Sequence, residues 1–177
     1  MKLTGRILHL FSDSDKISAQ LGGEPASGDS YHYGVNTDAM ISGQACTLGY
    51  TPEVLGPYFL QNFLEVVPES GVKSAGFQVI VGGDAYGSGS SREVAVVAHQ
   101  GAGIELVVAD SFQRIFQENM VYAGMPFTTD RGVLARLGGL LRGFLNLLPV
   151  SGRFLDASWR RLGHSWEPLG TSGGLLG

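Results

Sequence analysis

The chain has almost no cysteine. A single Cys46 in 177 residues excludes an intrachain disulfide and any cysteine-built metal cage. Positive charge is not in excess either: 12 Lys and Arg stand against 16 Asp and Glu, a formal net charge of −4. Without a basic stripe, nucleic acid is not an expected partner, because phosphate backbones are bound by clustered Lys and Arg. Long apolar runs are missing as well, and none approaches the ~20 residues that span a bilayer, so no membrane partner is expected. The N-terminal segment lacks the apolar core and small-residue cleavage site of a secretory leader, so a cytoplasmic location is expected. His9, His32 and His164 have no metal-ligand spacing with one another, and this chain is expected to bind no metal.

Glycine is what the chain has in abundance, 27 residues of 177, about twice ordinary usage. Most of these glycines stand singly at the ends of periodic segments. Gly82, Gly83, Gly87 and Gly89 instead crowd one stretch, Gly-Gly-Asp-Ala-Tyr-Gly-Ser-Gly-Ser-Ser-Arg at 82–92. The apolar run from Phe77 to Val81 reads as a strand before it, and Glu93 to Gly101 as a helix behind it. A glycine-rich turn from strand into helix leaves backbone N–H groups unpaired at the positive end of the helix, where anions bind. Serine hydroxyls and a guanidinium on the same turn suit a carboxylate. By residue chemistry alone, a tight or phosphate-binding turn remains open beside a functional site.

The rest of the chain reads as one domain over 1–177. Lys2–Phe11 reads as a strand, Asp15–Leu21 as a short helix closed by Gly22-Gly23, and Glu24–Tyr33 as a loop. Val35–Ile41 reads as a turn leading to a strand or helix start. Thr51 and Pro52 suit a helix entry burying Val54, Leu55, Tyr58, Phe59 and Phe63. Ile104–Ala109 reads as a strand. Asp110 or Ser111 is placed as the cap of a helix running to Tyr122 and stopped by Gly124, and Met125–Thr128 as a last short strand. Strand–helix–strand–helix–strand predicts an α/β unit with a parallel layer. Leu141–Val150 and Arg153–Trp159 read as an antiparallel hairpin, with a glycine-rich tail at 170–177.

Gly-Ser-Gly-Ser-Ser-Arg-Glu at 87–93, the run Gly-Ala-Gly-Ile-Glu-Leu-Val-Val-Ala-Asp-Ser-Phe-Gln-Arg-Ile-Phe-Gln-Glu-Asn at 101–119, and Asn36-Thr37-Asp38 upstream form a specific combination. Together they resemble the swivelling domain of the aconitase superfamily, and most closely its separate small subunits of the 3-isopropylmalate dehydratase type. The resemblance spans roughly residues 34 to 137. It implies a β/β/α swivelling domain: a mixed sheet or barrel flanked by helices, with the C-terminal hairpin added. It also implies a hydro-lyase that moves a hydroxyl between adjacent carbons of a 2-hydroxy di- or tricarboxylic acid by dehydration and rehydration. The partner would be an aconitase-like large subunit carrying a 4Fe-4S cluster, in a heterodimer or heterotetramer.

Carried onto this chain, the resemblance makes Ser90 the proton-abstracting base. Ser91, Arg92, Thr37 and Gly89 become substrate-binding residues, and Asp38 an active-site acid group. Gln44, Ala45, Cys46 and Thr47 occupy the place of the substrate-recognition loop. Family members commonly show an arginine where this chain has Gln44, and no arginine lies between Asp38 and Ser91. A second carboxylate clamp is therefore either missing or supplied by the partner, and a substrate altered toward specialised metabolism is one implied outcome. Glu93 is read as a structural cap, His99 as a structural cation near its helix end, Arg114 as a surface or interface residue and Cys46 as a small apolar or loop residue. From a different class, a non-catalytic anion-binding or regulatory module stays open. A phosphate-ester or nucleotide binder is disfavoured, because the loop has no lysine.

Overall fold

The structure, a computed structural model, describes residues 3, 5–90 and 92–136. The expected hairpin at 141–159, the tail at 170–177, His164 and Ser91 lie outside the described residues.

Four strands build one sheet: β1 Arg6–His9, β2 Phe77–Val81, β3 Leu106–Val108 and β4 Phe127–Thr128, in the order β1-β2-β3-β4. All three pairings are parallel, with Leu8 opposite Ile80, Ile80 opposite Val107 and Val107 opposite Phe127. A mixed sheet or barrel is expected from the resemblance; the described strands are instead all parallel. Each successive strand returns through a connection that contains a helix, which brings it back in the same direction. Antiparallel pairing is confined, among the described residues, to the isolated bridge between Phe11 and Tyr31.

Both faces of the sheet are covered, which explains why its strands read as unbroken apolar runs rather than as alternations. Leu8, Leu10, Ile80, Val107 and Ala109 enter the main core, while Val79, Val81, Leu106 and Val108 form a smaller cluster on the opposite face. The helices follow in chain order: α1 Ser14–Leu21, α2 Thr37–Met40, α3 Gly43–Cys46, α4 Pro52–Leu55, α5 Gly71–Ser74, α6 Glu93–Gly101 and α7 Arg114–Tyr122. Short 3-10 turns at Gly56–Tyr58 and Phe63–Glu65 extend the apolar segment behind α4. Leu55, Phe59 and Phe63 are buried as expected, whereas Val54 and Tyr58 are half-buried.

Two expectations are corrected at element ends. The first strand is only Arg6–His9, far shorter than Lys2–Phe11. Neither Asp110 nor Ser111 caps α7, which starts after Gln113. Asp110 is taken by Arg131, and the Ser111 hydroxyl donates to Asp84 and accepts from the Ala85 N–H. α6 ends at Gly101 as expected, and the left-handed turn beyond it is made by Gly103, at φ +90°. Gly101 is glycine because a side chain there would collide with the Pro52 carbonyl and with Gly56. It lets α4 and α6 pack backbone to backbone.

The core next to α6 holds the buried aromatics Phe59, Tyr86 and Phe116 around His99, whose ring lies 4.2 Å from that of Phe59 and 5.7 Å from that of Phe116. β1, β2, β3 and β4 all end at the same edge of the sheet. That carboxyl edge is where open parallel sheets place their ligand crevices, and here the 82–92 loop leaves β2.

Candidate functional site

The glycine-rich loop is held between two flanking segments by backbone hydrogen bonds. On one side Gly87 N–H donates to Val35 C=O at 2.8 Å, and Thr37 N–H donates to Ser88 C=O at 2.9 Å. On the other, Tyr86 N–H donates to Ser111 C=O at 3.0 Å, and Gln113 N–H donates to Tyr86 C=O at 2.9 Å. The Ser88 hydroxyl adds a 2.9 Å bond to Gly34 C=O. The Asn-Thr-Asp motif and the start of α7 thus meet on opposite sides of one loop, although they are far apart in the chain.

Asn36 is the N-cap of α2, its side chain accepting the Ala39 N–H at 2.7 Å. That cap sets the direction of the next two residues. The buried Thr37 hydroxyl donates to Ser90 C=O at 2.8 Å, and Asp38 Oδ1 lies 2.5 Å from Arg92 Nη2. Arg92 also donates from Nη1 to Ile41 C=O at 3.2 Å. Four of the expected site residues, Thr37, Asp38, Ser90 and Arg92, therefore share one network. The Ser90 side chain is exposed and makes no hydrogen bond to another described residue.

A cavity of about 280 Å³ opens here, at the small end of the range for ligand sites. Thr37, Gly89, Ser90 and Arg92 form one wall. Gln113, Arg114, Phe116 and Asn119 of α7 and its approach form the other. Gly87 lies between the walls at φ +80°, and a methyl group there would strike the Phe116 ring. Only glycine admits both the left-handed conformation and the contact.

Gln44, Ala45, Cys46 and Thr47 do not line this cavity. They form or follow α3, with Ser42 Oγ accepting the Ala45 N–H at 3.1 Å and the Thr47 hydroxyl donating to Gln44 C=O at 2.8 Å. Ala45 is buried and Cys46 half-buried against the core, which matches the reading of Cys46 as a small apolar residue. Glu93 is exposed, and α6 has no side-chain cap, so the capping role expected of Glu93 is not formed.

His99 is structural, but not as a cation. It is fully buried, and burial holds its imidazole down to about 4. Its Nδ1 lies 2.6 Å from Ala95 C=O and must donate there, so Nε2 accepts from the Tyr86 hydroxyl at 2.7 Å. Burial pushes the Tyr86 phenol well up, consistent with a neutral donor.

A second network anchors the start of the loop, and nothing in the sequence pattern marks it. Arg131 pairs with both carboxylate oxygens of Asp110, at 2.5 and 2.8 Å, and donates to Gly82 C=O at 2.8 Å. Its guanidinium lies 4.0 Å from the Tyr31 ring centre, and the Tyr31 hydroxyl is 2.7 Å from His9 Nδ1. Hydrogen bonding from Arg131 lowers the Asp110 carboxyl, while burial, with the Arg131 charge, brings His9 to about 4. The residues of the α7 wall lie in the 101–119 run that carries the resemblance, but only the fold brings Gln113, Phe116 and Asn119 to the cavity.

Among the described residues no three His, Cys, Asp or Glu side chains come together as metal ligands, and no helix is long and apolar enough to cross a membrane. With one cysteine in the chain, an iron–sulfur cluster does not fit the residues of this chain, since such clusters are held by several thiolates.

Comparison with known proteins agrees with the motifs. Residues 68–131, which include the loop, α6 and α7, match the aconitase C-terminal domain. A 3-isopropylmalate dehydratase small subunit from Pyrobaculum calidifontis is 40% identical over 104 residues, covering 58% of this chain and 61% of that one. An isopropylmalate/citramalate isomerase small subunit from Methanocaldococcus jannaschii is 39% identical over 100 residues, 56% of each chain. A crystal structure of 3-isopropylmalate dehydratase from Methanocaldococcus jannaschii is 31% identical, covering 68% of this chain and 57% of that one, with a TM-score of 0.46. The chain spans little more than half the length of the curated relatives it matches. The resemblance to the aconitase C-terminal domain and to dehydratase small subunits, read first from the loop, is borne out over the matched residues.

Proposed function

We propose that this chain is the small subunit of a cytoplasmic hydro-lyase that dehydrates and rehydrates a 2-hydroxy di- or tricarboxylic acid of the 3-isopropylmalate kind. It would be one swivelling domain working with an aconitase-like large subunit. The observation that carries the reading is the meeting of Ser90, Arg92 and the Asn-Thr-Asp motif at one cavity on the carboxyl edge of a parallel sheet. When bound in the partner, a 4Fe-4S cluster would supply Lewis-acid chemistry for the leaving hydroxyl.

The roles of this chain's own residues follow from their chemistry. Arg92 grips a substrate carboxylate, keeping its charge at any working pH. Asp38 holds the free guanidinium in place and gives way to, or shares it with, the substrate. Ser90, as alkoxide, takes the proton from the carbon next to a carboxylate. The electron pair of that C–H bond becomes the new C=C bond as the neighbouring hydroxyl departs as hydroxide; passing the abstracted proton to that hydroxide gives water and restores the alkoxide, and rehydration reverses the step at the adjacent carbon. A serine is a weak base at its ordinary pKa, so its alkoxide needs the loop N–H groups, the uncapped start of α6 and Arg92 around it. The Thr37 hydroxyl, bonded to Ser90 C=O, keeps that backbone aimed. Ser91 adds a second hydroxyl for the carboxylate.

The test is Ser90→Ala in a complex reconstituted with a cluster-bearing aconitase-like subunit. Turnover of a 2-hydroxy dicarboxylate should fall by roughly the 10²–10⁴-fold typical of losing an acid–base group, with pairing and fold intact. Full activity would remove Ser90 from the mechanism. A second reading, a non-catalytic anion-binding module, draws on the exposed Ser90 side chain, which has no hydrogen-bond partner among the described residues. It requires that the reconstituted complex dehydrate no 2-hydroxy acid while Arg92→Gln still weakens anion binding.

A further inference from the structure

We infer that Arg114 is a second carboxylate-binding residue of this cavity, which with Arg92 selects 2-hydroxy acids carrying two carboxylates over those carrying one. The inference deepens the reading above and rests on it.

Among the described residues, Arg92 and Arg114 line the cavity and no Asp or Glu does. Arg92 comes from the loop before α6 and Arg114 is the first residue of α7, so two separate segments each bring a cation to the same cavity. The Arg92 charge is already partly balanced by Asp38 at 2.5 Å. Arg114 is much freer. Its side chain is 87% exposed, and its one ion pair among the described residues is with Glu118, 3.1 Å away on the same helix. Exposed pairs at this helical spacing are weak and cost little to release.

Other features of the α7 wall favour an anion. α7 has no side-chain cap, so its first N–H groups and the positive end of its dipole lie beside Arg114. The amides of Gln113 and Asn119 line the same wall and offer neutral hydrogen bonds without competing charge. The 44–47 segment, where a second clamp is expected, lacks arginine and does not reach the cavity. A dicarboxylate that places one carboxylate on Arg92 therefore finds the second cation on α7.

The experiment measures malate and lactate binding to the full chain by calorimetry. Both are 2-hydroxy acids, and they differ by one carboxylate. The unaltered chain should bind malate about tenfold or more tightly than lactate. Arg114→Gln should bring malate down to the lactate value and leave lactate within twofold, with an unchanged melting temperature. Arg114→Lys should recover part of the preference, since it keeps the charge but loses the planar fork. Arg92→Gln should weaken both ligands. If Arg92→Gln weakens both while Arg114→Gln leaves their ratio unaltered, Arg114 is not the second clamp and the carboxylate reading stands. If neither acid binds, or Arg92→Gln changes nothing, the carboxylate reading falls and this inference falls with it.

Discussion

The Tyr86 hydroxyl donates to His99 Nε2 across 2.7 Å in the buried core, and His99 Nδ1 donates onward to Ala95 C=O. Tyr86 lies at the entrance of the glycine-rich loop, and His99 lies on the helix into which that loop runs. The pair closes the loop from inside, with every polar atom satisfied. A network complete in this way specifies one arrangement of the backbone, because each alternative leaves a buried group unpaired.

Tyr86→Phe leaves His99 Nε2 buried without a donor and should lower stability by about 1–3 kcal/mol. Urea denaturation checks this through the midpoint at unchanged slope. A midpoint equal to that of the unaltered chain would mean that the pair holds nothing.

Stability should also fall on mild acidification. His99 and His9 are each held at about 4 in the folded chain, below the ordinary 6.5. Between those values the unfolded chain binds protons that the folded chain refuses. Their stabilisation is complete above pH 6.5 and is lost progressively as the pH drops toward 4, by up to about 1.4 kcal/mol per pH unit for each histidine. Thermal unfolding between pH 7 and 5 reads the slope. The double variant Tyr86→Phe/His99→Leu should flatten it by roughly half, whatever its effect on stability at pH 7.

Gly87 and Gly89 both have positive φ, yet they should respond differently to alanine. At Gly89 the nearest atoms to an added methyl lie 3.5 Å away, so Gly89→Ala should cost only the backbone strain, about 1–2 kcal/mol. At Gly87 the methyl meets the Phe116 ring as well. Gly87→Ala should cost clearly more and abolish carboxylate binding, because Phe116 is part of the cavity wall. Equal losses at the two positions would contradict the contact.

Arg131→Gln removes the Asp110 pair, the bond to Gly82 C=O and the Tyr31 stack together. A loss of about 1–2 kcal/mol is expected for this half-exposed cluster. Arg131→Lys should restore less than half of it, because a point charge cannot serve a carboxylate, a carbonyl and a ring at once. Full rescue by lysine would show that charge alone matters.

Much of the architecture was legible because its signals are local. The β2–loop–α6 unit shows as an apolar run, a glycine cluster and a helical pattern, all contiguous. The length of β1 and the start of α7 were not legible. Ser111 makes a plausible cap, and only the presence of Asp84 and Ala85 beside it diverts its hydroxyl. Gly101 reads as a helix stop by its identity, whereas its reason is the Pro52 carbonyl of another helix.

By itself the sequence determined the chemistry available: hydroxyls, glycines and a guanidinium on one turn, and too few cysteines to hold a metal cluster. Those depend on composition and neighbouring residues alone. Only the tertiary structure decided that Asp38 meets Arg92, that Arg114 and Asn119 line one cavity with Ser90, and that His99 is neutral. Pairings between distant segments, and the charge of a group inside a core, depend on what packing brings around them and what solvent it removes.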